Sequence, residues 1–258
     1  GTANLNNGLT GNVTTTADGE GKLNLVGSGT QTVTGQVGTN ANKLAEVNAG
    51  VNGSTSTFAN DVYATNLDVE GTGTVNLDGK FTGTAVRYNA DGTVILADTK
   101  NIDSSVTTAT NNTGTLSLEG SSTVTGQVGA SGASLKEINA GVAGTTSTFN
   151  SNVYASNLNM TGAGTVVLNS DLTGNVVTTG NNKGILTTTG VNQTITGNIG
   201  SSTSLDLNTL NIGSNTDATN YSKTTINGNV FANSTVLNNN DNDNSDGTTN
   251  SSELIMGS

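Results

Sequence analysis

The chain contains no proline, cysteine, histidine or tryptophan, and aromatic residues make up only 3% of it. Each absence removes a class of protein. Without cysteine there is no disulfide frame, and without cysteine and histidine the usual ligands of a structural zinc site and the imidazole general base are gone. With few aromatics and 31% hydrophobic residues among 258, a thick globular core is excluded. Cationic charge is also scarce: seven lysines and the single Arg87 against 19 acids leave a formal net charge of −11. So few cations give a phosphate backbone little to bind, and nucleic acid is not expected as a partner. No run reaches the roughly 20 apolar residues of a membrane-spanning helix, and Gly1 opens without the charged-then-apolar pattern of a signal peptide.

What is present is Gly, Asn and Thr, with Val, Ile and Leu at alternate places in short runs. Charged residues are only 10%, too few for a self-repelling disordered chain. The expectation is a thin, ordered, β-rich molecule.

Repetition sets the organisation. "STFANDVYATNLDVEGTGTVNLDGKFTG" (56–83) returns as "STFNSNVYASNLNMTGAGTVVLNSDLTG" (147–174), 91 residues later. "VTGQVG" at 33–38 recurs at 124–129 and, as "ITGNIG", at 195–200; "LTGNV" at 9–13 recurs as "FTGTA" at 81–85 and as "LTGNV" at 172–176. One insertion of about 20 residues reconciles the unequal intervals. The repeat region, 1–237, then reads as about three imperfect 72-residue units, near 9–80, 81–171 and 172–237, with the insertion near 86–105. An acidic, Asn-rich tail follows at 238–258.

Within a unit, short strands alternate with turns. Leu23 and Leu25, Val75 and Leu77, and Leu116 and Leu118 each share one face of a period-2 ribbon. Gly, Asn and Asp between them close the turns. Such strands cannot bury an apolar face alone, but coils of about 20 residues stacked on one another can. The fold class is therefore all-β, a right-handed parallel β-helix or solenoid, right-handed because parallel crossovers nearly always are. The alternative is an array of antiparallel sandwiches, which calls for strands of more even length and an aromatic core. Two segments depart from the rhythm: "ANKLAEVNAG" (41–50) and "GASLKEINAG" (132–141) place Leu44 with Val47, and Leu135 with Ile138, at helical spacing before an Asn-Ala-Gly stop, predicting a short helix.

The phrases "TGQVG", "TGNIG", "NVYASNLNMTGAGTVVLNSDLTGNV" and "INGNVFANSTVL" resemble the passenger repeats of the rickettsial surface cell antigens, the outer-membrane protein A and B group of autotransporters, over residues 8–237. The resemblance implies a β-helical passenger exported through a C-terminal membrane barrel, a bacterial cell-surface or extracellular location, adhesion to host cells and, in some members, a surface-layer coat. The partners implied are a host-cell surface protein or glycan, or copies of the chain itself. No signal peptide and no run of barrel strands is present, so the expectation is a passenger fragment or a relative that assembles by itself.

Enzyme chemistry is not expected. Some β-helices cleave polysaccharides with carboxylate pairs, but here Asp18, Glu20, Asp68, Glu70, Asp78, Asp91, Asp98 and Asp103 are scattered. Asp68 and Glu70 share a strand face, where they should repel and stay solvated, and no histidine is there to tune such a pair. Adhesin, self-assembling filament or surface-layer subunit, and polysaccharide-acting enzyme remain as three function classes, in that order.

Two places carry specific site expectations. The insertion, "AVRYNADGTVILADTKNIDS" (85–104), reads as a hairpin or an extra coil, and its Arg87, Tyr88 and Lys100 are candidate partner contacts because Tyr and Arg commonly anchor interfaces. In the tail, Asn242, Asn244, Asp246 and Glu253 stand at positions 1, 3, 5 and 12 of a calcium loop, with Gly247 at position 6. Position 1 is Asn rather than Asp and no helices flank the loop, so a flexible linker is the competing reading; no cofactor other than calcium is expected.

Overall fold

The computed structural model describes residues 1–202, 204–213, 222–238 and 252–257. Among these the chain is all-β, with 23 strands in two sheets of 12 and 11 strands whose paired strands run parallel. It is a parallel β-solenoid. The chain divides into two compact units, Gly1–Ile138 and Asn139–Ser258.

In the first unit, one sheet takes β1 (Thr2–Leu5), β2 (Lys22–Leu25), β4 (Leu44–Ala49), β6 (Val62–Val69), β8 (Phe81–Tyr88), β10 (Asn101–Thr108) and β12 (Thr123–Val124), in that order. The other takes β3 (Gly29–Val33), β5 (Ser54–Phe58), β7 (Thr74–Leu77), β9 (Thr93–Leu96) and β11 (Thr115–Leu118). β13 (Leu135–Ala140) lies across the division. The second unit repeats the scheme with β14 (Thr146–Phe149), β16 (Thr165–Leu168), β18 (Lys183–Thr188), β20 (Leu207–Ile212) and β22 (Ala232–Leu237) in one sheet. Its other sheet holds β15 (Val153–Met160), β17 (Leu172–Thr178), β19 (Asn192–Ile195), β21 (Lys223–Ile226) and β23 (Glu253–Met256).

Stacking like on like builds the core. Val33, Phe58, Leu77, Leu96 and Leu118 form one inward column. Val62, Phe81, Ile102 and Val124 form a second, and Leu23, Val47, Leu67, Val86 and Val106 a third. All of these side chains are buried. A strand of four residues contributes only two inward side chains, so the interior is a set of narrow columns, which is why so few large residues suffice.

The recurrent Thr-Gly marks a corner where two coils touch through their backbones. A Cβ on Gly83 would lie 2.0 Å from the Ala64 carbonyl oxygen, and one on Gly35 would lie 2.2 Å from Gly11. In the second unit Gly174, Gly197 and Gly228 stack directly: a Cβ on Gly197 would meet the Gly174 oxygen at 2.2 Å, and one on Gly228 the Gly197 oxygen at 2.4 Å. Any side chain there holds the coils apart.

The structure corrects the helix expected at 41–50 and at 132–141. Both segments are strands, β4 and β13, with Leu44, Val47 and Ala49 buried in one and Leu135, Ile138 and Ala140 in the other. The three-residue spacing arises because β4 bends after Leu44, where the Ala45 N–H reaches both the Glu20 and Gly21 carbonyls. A six-residue helix has little stability of its own, whereas β4 finds partners in β2 and β6. The insertion is a coil of the solenoid rather than a hairpin: β9 pairs in parallel with β7 and β11, and Val86 stacks under Val106, 20 residues on.

Candidate functional site

The three candidate partner contacts do not come together. Arg87 faces outward on β8 and grips Asp68 of β6 with two parallel hydrogen bonds, from Nε to Oδ1 and from the terminal guanidinium nitrogen to Oδ2. Tyr88, the next residue, faces the opposite way by strand alternation and is buried, so it is no partner contact: its hydroxyl donates to the Thr115 carbonyl at 2.6 Å. Burial pushes that hydroxyl's pKa far up. Lys100 stands on the turn before β10. Of the calcium candidates, Asn242, Asn244 and Asp246 lie outside the described residues; Glu253 opens β23 with its carboxylate 3.5 Å from Lys223 Nζ.

The scattered carboxylates have a common task that spacing alone does not reveal. Asp18 accepts the Lys43 N–H (2.8 Å), Asp61 the Lys80 N–H (3.0 Å), Asp98 the Ser121 N–H (2.7 Å) and Asp171 the Thr194 N–H (2.8 Å). Each bond spans one coil. Asn52 and Asn111 do the same for Thr72 (2.9 Å) and Ser134 (2.9 Å). At corners the ladder is interrupted, and these oxygens satisfy N–H groups the strands cannot. Asp91 accepts from both the Lys136 ammonium and the Gly114 N–H, and together they hold its carboxyl below the ordinary range.

A polar ladder runs along the outer face of β1, β2, β4, β6 and β8. Asn24 donates to Asn4 (2.7 Å), Asn48 donates to Asn24 (2.8 Å) and to Glu46 (2.7 Å), and Arg87 closes on Asp68. Glu46 also receives Lys22 at 2.8 Å; hydrogen bonds from Lys22 and Asn48 hold its pKa below the ordinary value. Asp68 is 2% exposed, which corrects the solvated carboxylate expected there: Arg87 covers it. These groups pair among themselves.

One open recess lies within the second unit. Val176, Ile199 and Val230 stack inward on three successive coils. Their outward neighbours make two ranks, Asn175, Asn198 and Asn229 on one side and Val177, Gly200 and Phe231 on the other, lining a recess of about 330 Å³. Gly200 lies buried between Val177 and Phe231, with the Phe231 backbone and Cβ and the Leu205 carbonyl packed against it. Glycine is required there: its φ is +69°, and a Cβ would lie 2.5 Å from the Phe231 carbonyl oxygen. The Asn198 N–H donates to Asn175 Oδ1 (3.0 Å) and the Asn229 N–H to Asn198 Oδ1 (2.8 Å). A backbone N–H can bond only the oxygen of an amide, so the Nδ2 groups of Asn175 and Asn198 are left as donors along the recess.

The same pattern occurs in the first unit, with Val13, Val37 and Val62 inward and Gly38 below Tyr63, but there it is occupied by the chain's own groups. The Gln36 amide folds onto the Gly38 carbonyl (2.8 Å), and Lys80 Nζ sits 5.2 Å from the Tyr63 ring centre. "VTGQVG" and "ITGNIG" already displayed the repeat; that one copy is filled and another open depends on residues from neighbouring coils. Comparison of the chain with protein-family models, curated proteins and solved structures gives no match.

Proposed function

We propose that this chain is the surface-exposed structural and adhesive part of a bacterial surface protein of the autotransporter-passenger kind, attaching the cell to host cells or neighbouring surfaces. The observation that supports this most is the use of acids and amides at the coil corners as inter-coil bonds, as with Asp18, Asp61, Asp98 and Asp171. At these corners the acids and amides join one coil to the next, which supports a role in extension and display. The test is saturable binding of the purified chain to cultured host cells, competed by excess unlabelled chain. Binding that rises linearly without competition overturns adhesion.

A self-assembling surface layer is the second reading, favoured by one face of the first unit. Thr30, Thr55, Thr74, Thr93 and Thr115 stand in register beside Thr32, Thr57, Asn76, Ile95 and Ser117 on β3, β5, β7, β9 and β11. None of the ten is charged, so copies that otherwise repel through the net charge of −11 meet no repulsion here. Electron microscopy separates the readings: dispersed particles support the adhesin, and sheets or fibres the layer.

A further inference from the structure

We infer that the recess at Gly200 binds a neutral glycan bearing acetamido sugars, an inference that rests on the adhesive reading and names its ligand. Three features of the recess specify this class. Its walls are apolar where a sugar ring is apolar: Val177 and the partly exposed Phe231 stand two coils apart on the rim of the recess, roughly 9–10 Å between backbones. An aromatic face carries negative charge density and attracts the polarised C–H groups of such a ring. The remaining rank offers donors, because the oxygens of Asn175 and Asn198 are already bonded to the backbone of the next coil.

Donors beside apolar walls fit the hydroxyl oxygens of a sugar and above all the acetamido carbonyl, whose methyl group can rest against Val177. A carboxylate or sulfate would also accept from the amides, but the chain carries a formal net charge of −11, and its one arginine is bound to Asp68 in the other unit. The field therefore disfavours anionic glycans. The first unit supplies an internal comparison: there the donor amide of Gln36 is turned onto the Gly38 carbonyl and Lys80 covers the aromatic ring, so the same backbone offers no free recess.

Saturation-transfer NMR with tri-N-acetylchitotriose on the intact chain tests the inference. The expected result is transfer to ring and acetamide-methyl protons, weakened at least tenfold in Phe231→Ala and in Asn198→Asp. The second variant is chosen because an aspartate keeps the oxygen that accepts the Asn229 N–H, as Asp61, Asp98 and Asp171 do elsewhere, and loses only the donor. Circular dichroism should match the parent for both. No transfer at millimolar sugar, transfer undiminished in both variants, or equal transfer to a sialylated trisaccharide overturns the assignment. A chain that binds cells but not the sugar defeats this inference and leaves adhesion standing; one that binds the sugar but not cells defeats adhesion alone.

Discussion

Replacing Gly197 by alanine tests the claim that the Thr-Gly corners join coils backbone to backbone. Its φ is not positive, so alanine meets no left-handed strain, and elsewhere such a change stabilises by about 0.4–1 kcal/mol through the unfolded chain. Here the new Cβ would stand 2.2 Å from the Gly174 oxygen and 2.5 Å from its carbonyl carbon. Relief requires moving a backbone about 1 Å while Gly228 presses from the other side, because neither neighbour is a side chain that can turn away. Overpacking of this kind costs about 1–3 kcal/mol, and with backbone on both sides we expect about 3. At roughly 2–4 °C per kcal/mol for a chain of this size, the midpoint should fall by about 6–12 °C. Gly180→Ala is the control, since its Cβ would meet only the flexible Lys183 side chain at 3.3 Å, and it should be neutral or slightly stabilising. Thermal unfolding followed by circular dichroism reads both. A Gly197→Ala chain as stable as the parent would refute the close-contact argument.

Deleting residues 86–105 should leave a folded solenoid one coil shorter, since Val106 then enters the column position of Val86; loss of protease-resistant protein would show that this coil is indispensable. Arg87→Ala should cost about 3 kcal/mol because it leaves the buried Asp68 without its counter-charge, and Arg87→Lys, which cannot make the two-pronged contact, should recover only part of it in denaturant melts. The carboxyls of Glu46 and Asp91 are held below their unfolded values, so their contribution is present above about pH 4.3 and fades as pH falls through the lowered folded values. A melting temperature recorded from pH 6 to pH 3 should therefore drop less in Glu46→Gln than in the parent, and parallel curves would remove Glu46 from the account. The calcium-loop spacing predicts a binding heat in calorimetry that Glu253→Gln abolishes; silence at millimolar calcium retires the site.

The alternation of Leu and Val, the turn glycines and the copied phrases were enough to read a stacked parallel architecture, because the inward column and the turn are both local patterns. The insertion was legible too, as a jump in repeat length, but the choice between a hairpin and a coil was made by the parallel pairing of β9. What the letters could not convey is which residue lies one coil away. Leu44 and Val47 look helical until β2 and β6 are placed beside them, and Tyr88 looks like a surface anchor until alternation from Val86 turns it inward. The isolated aspartates look idle for the same reason. Their partners are backbone N–H groups some 19 to 25 residues away, a separation set by coil length and not by any motif. The open recess depends on three coils at once, joining Val177, Gly200 and Phe231 in one rank. Periodicity along the chain thus specifies the columns, whereas the contacts between columns, and with them the candidate site, come into being only when the coils stack.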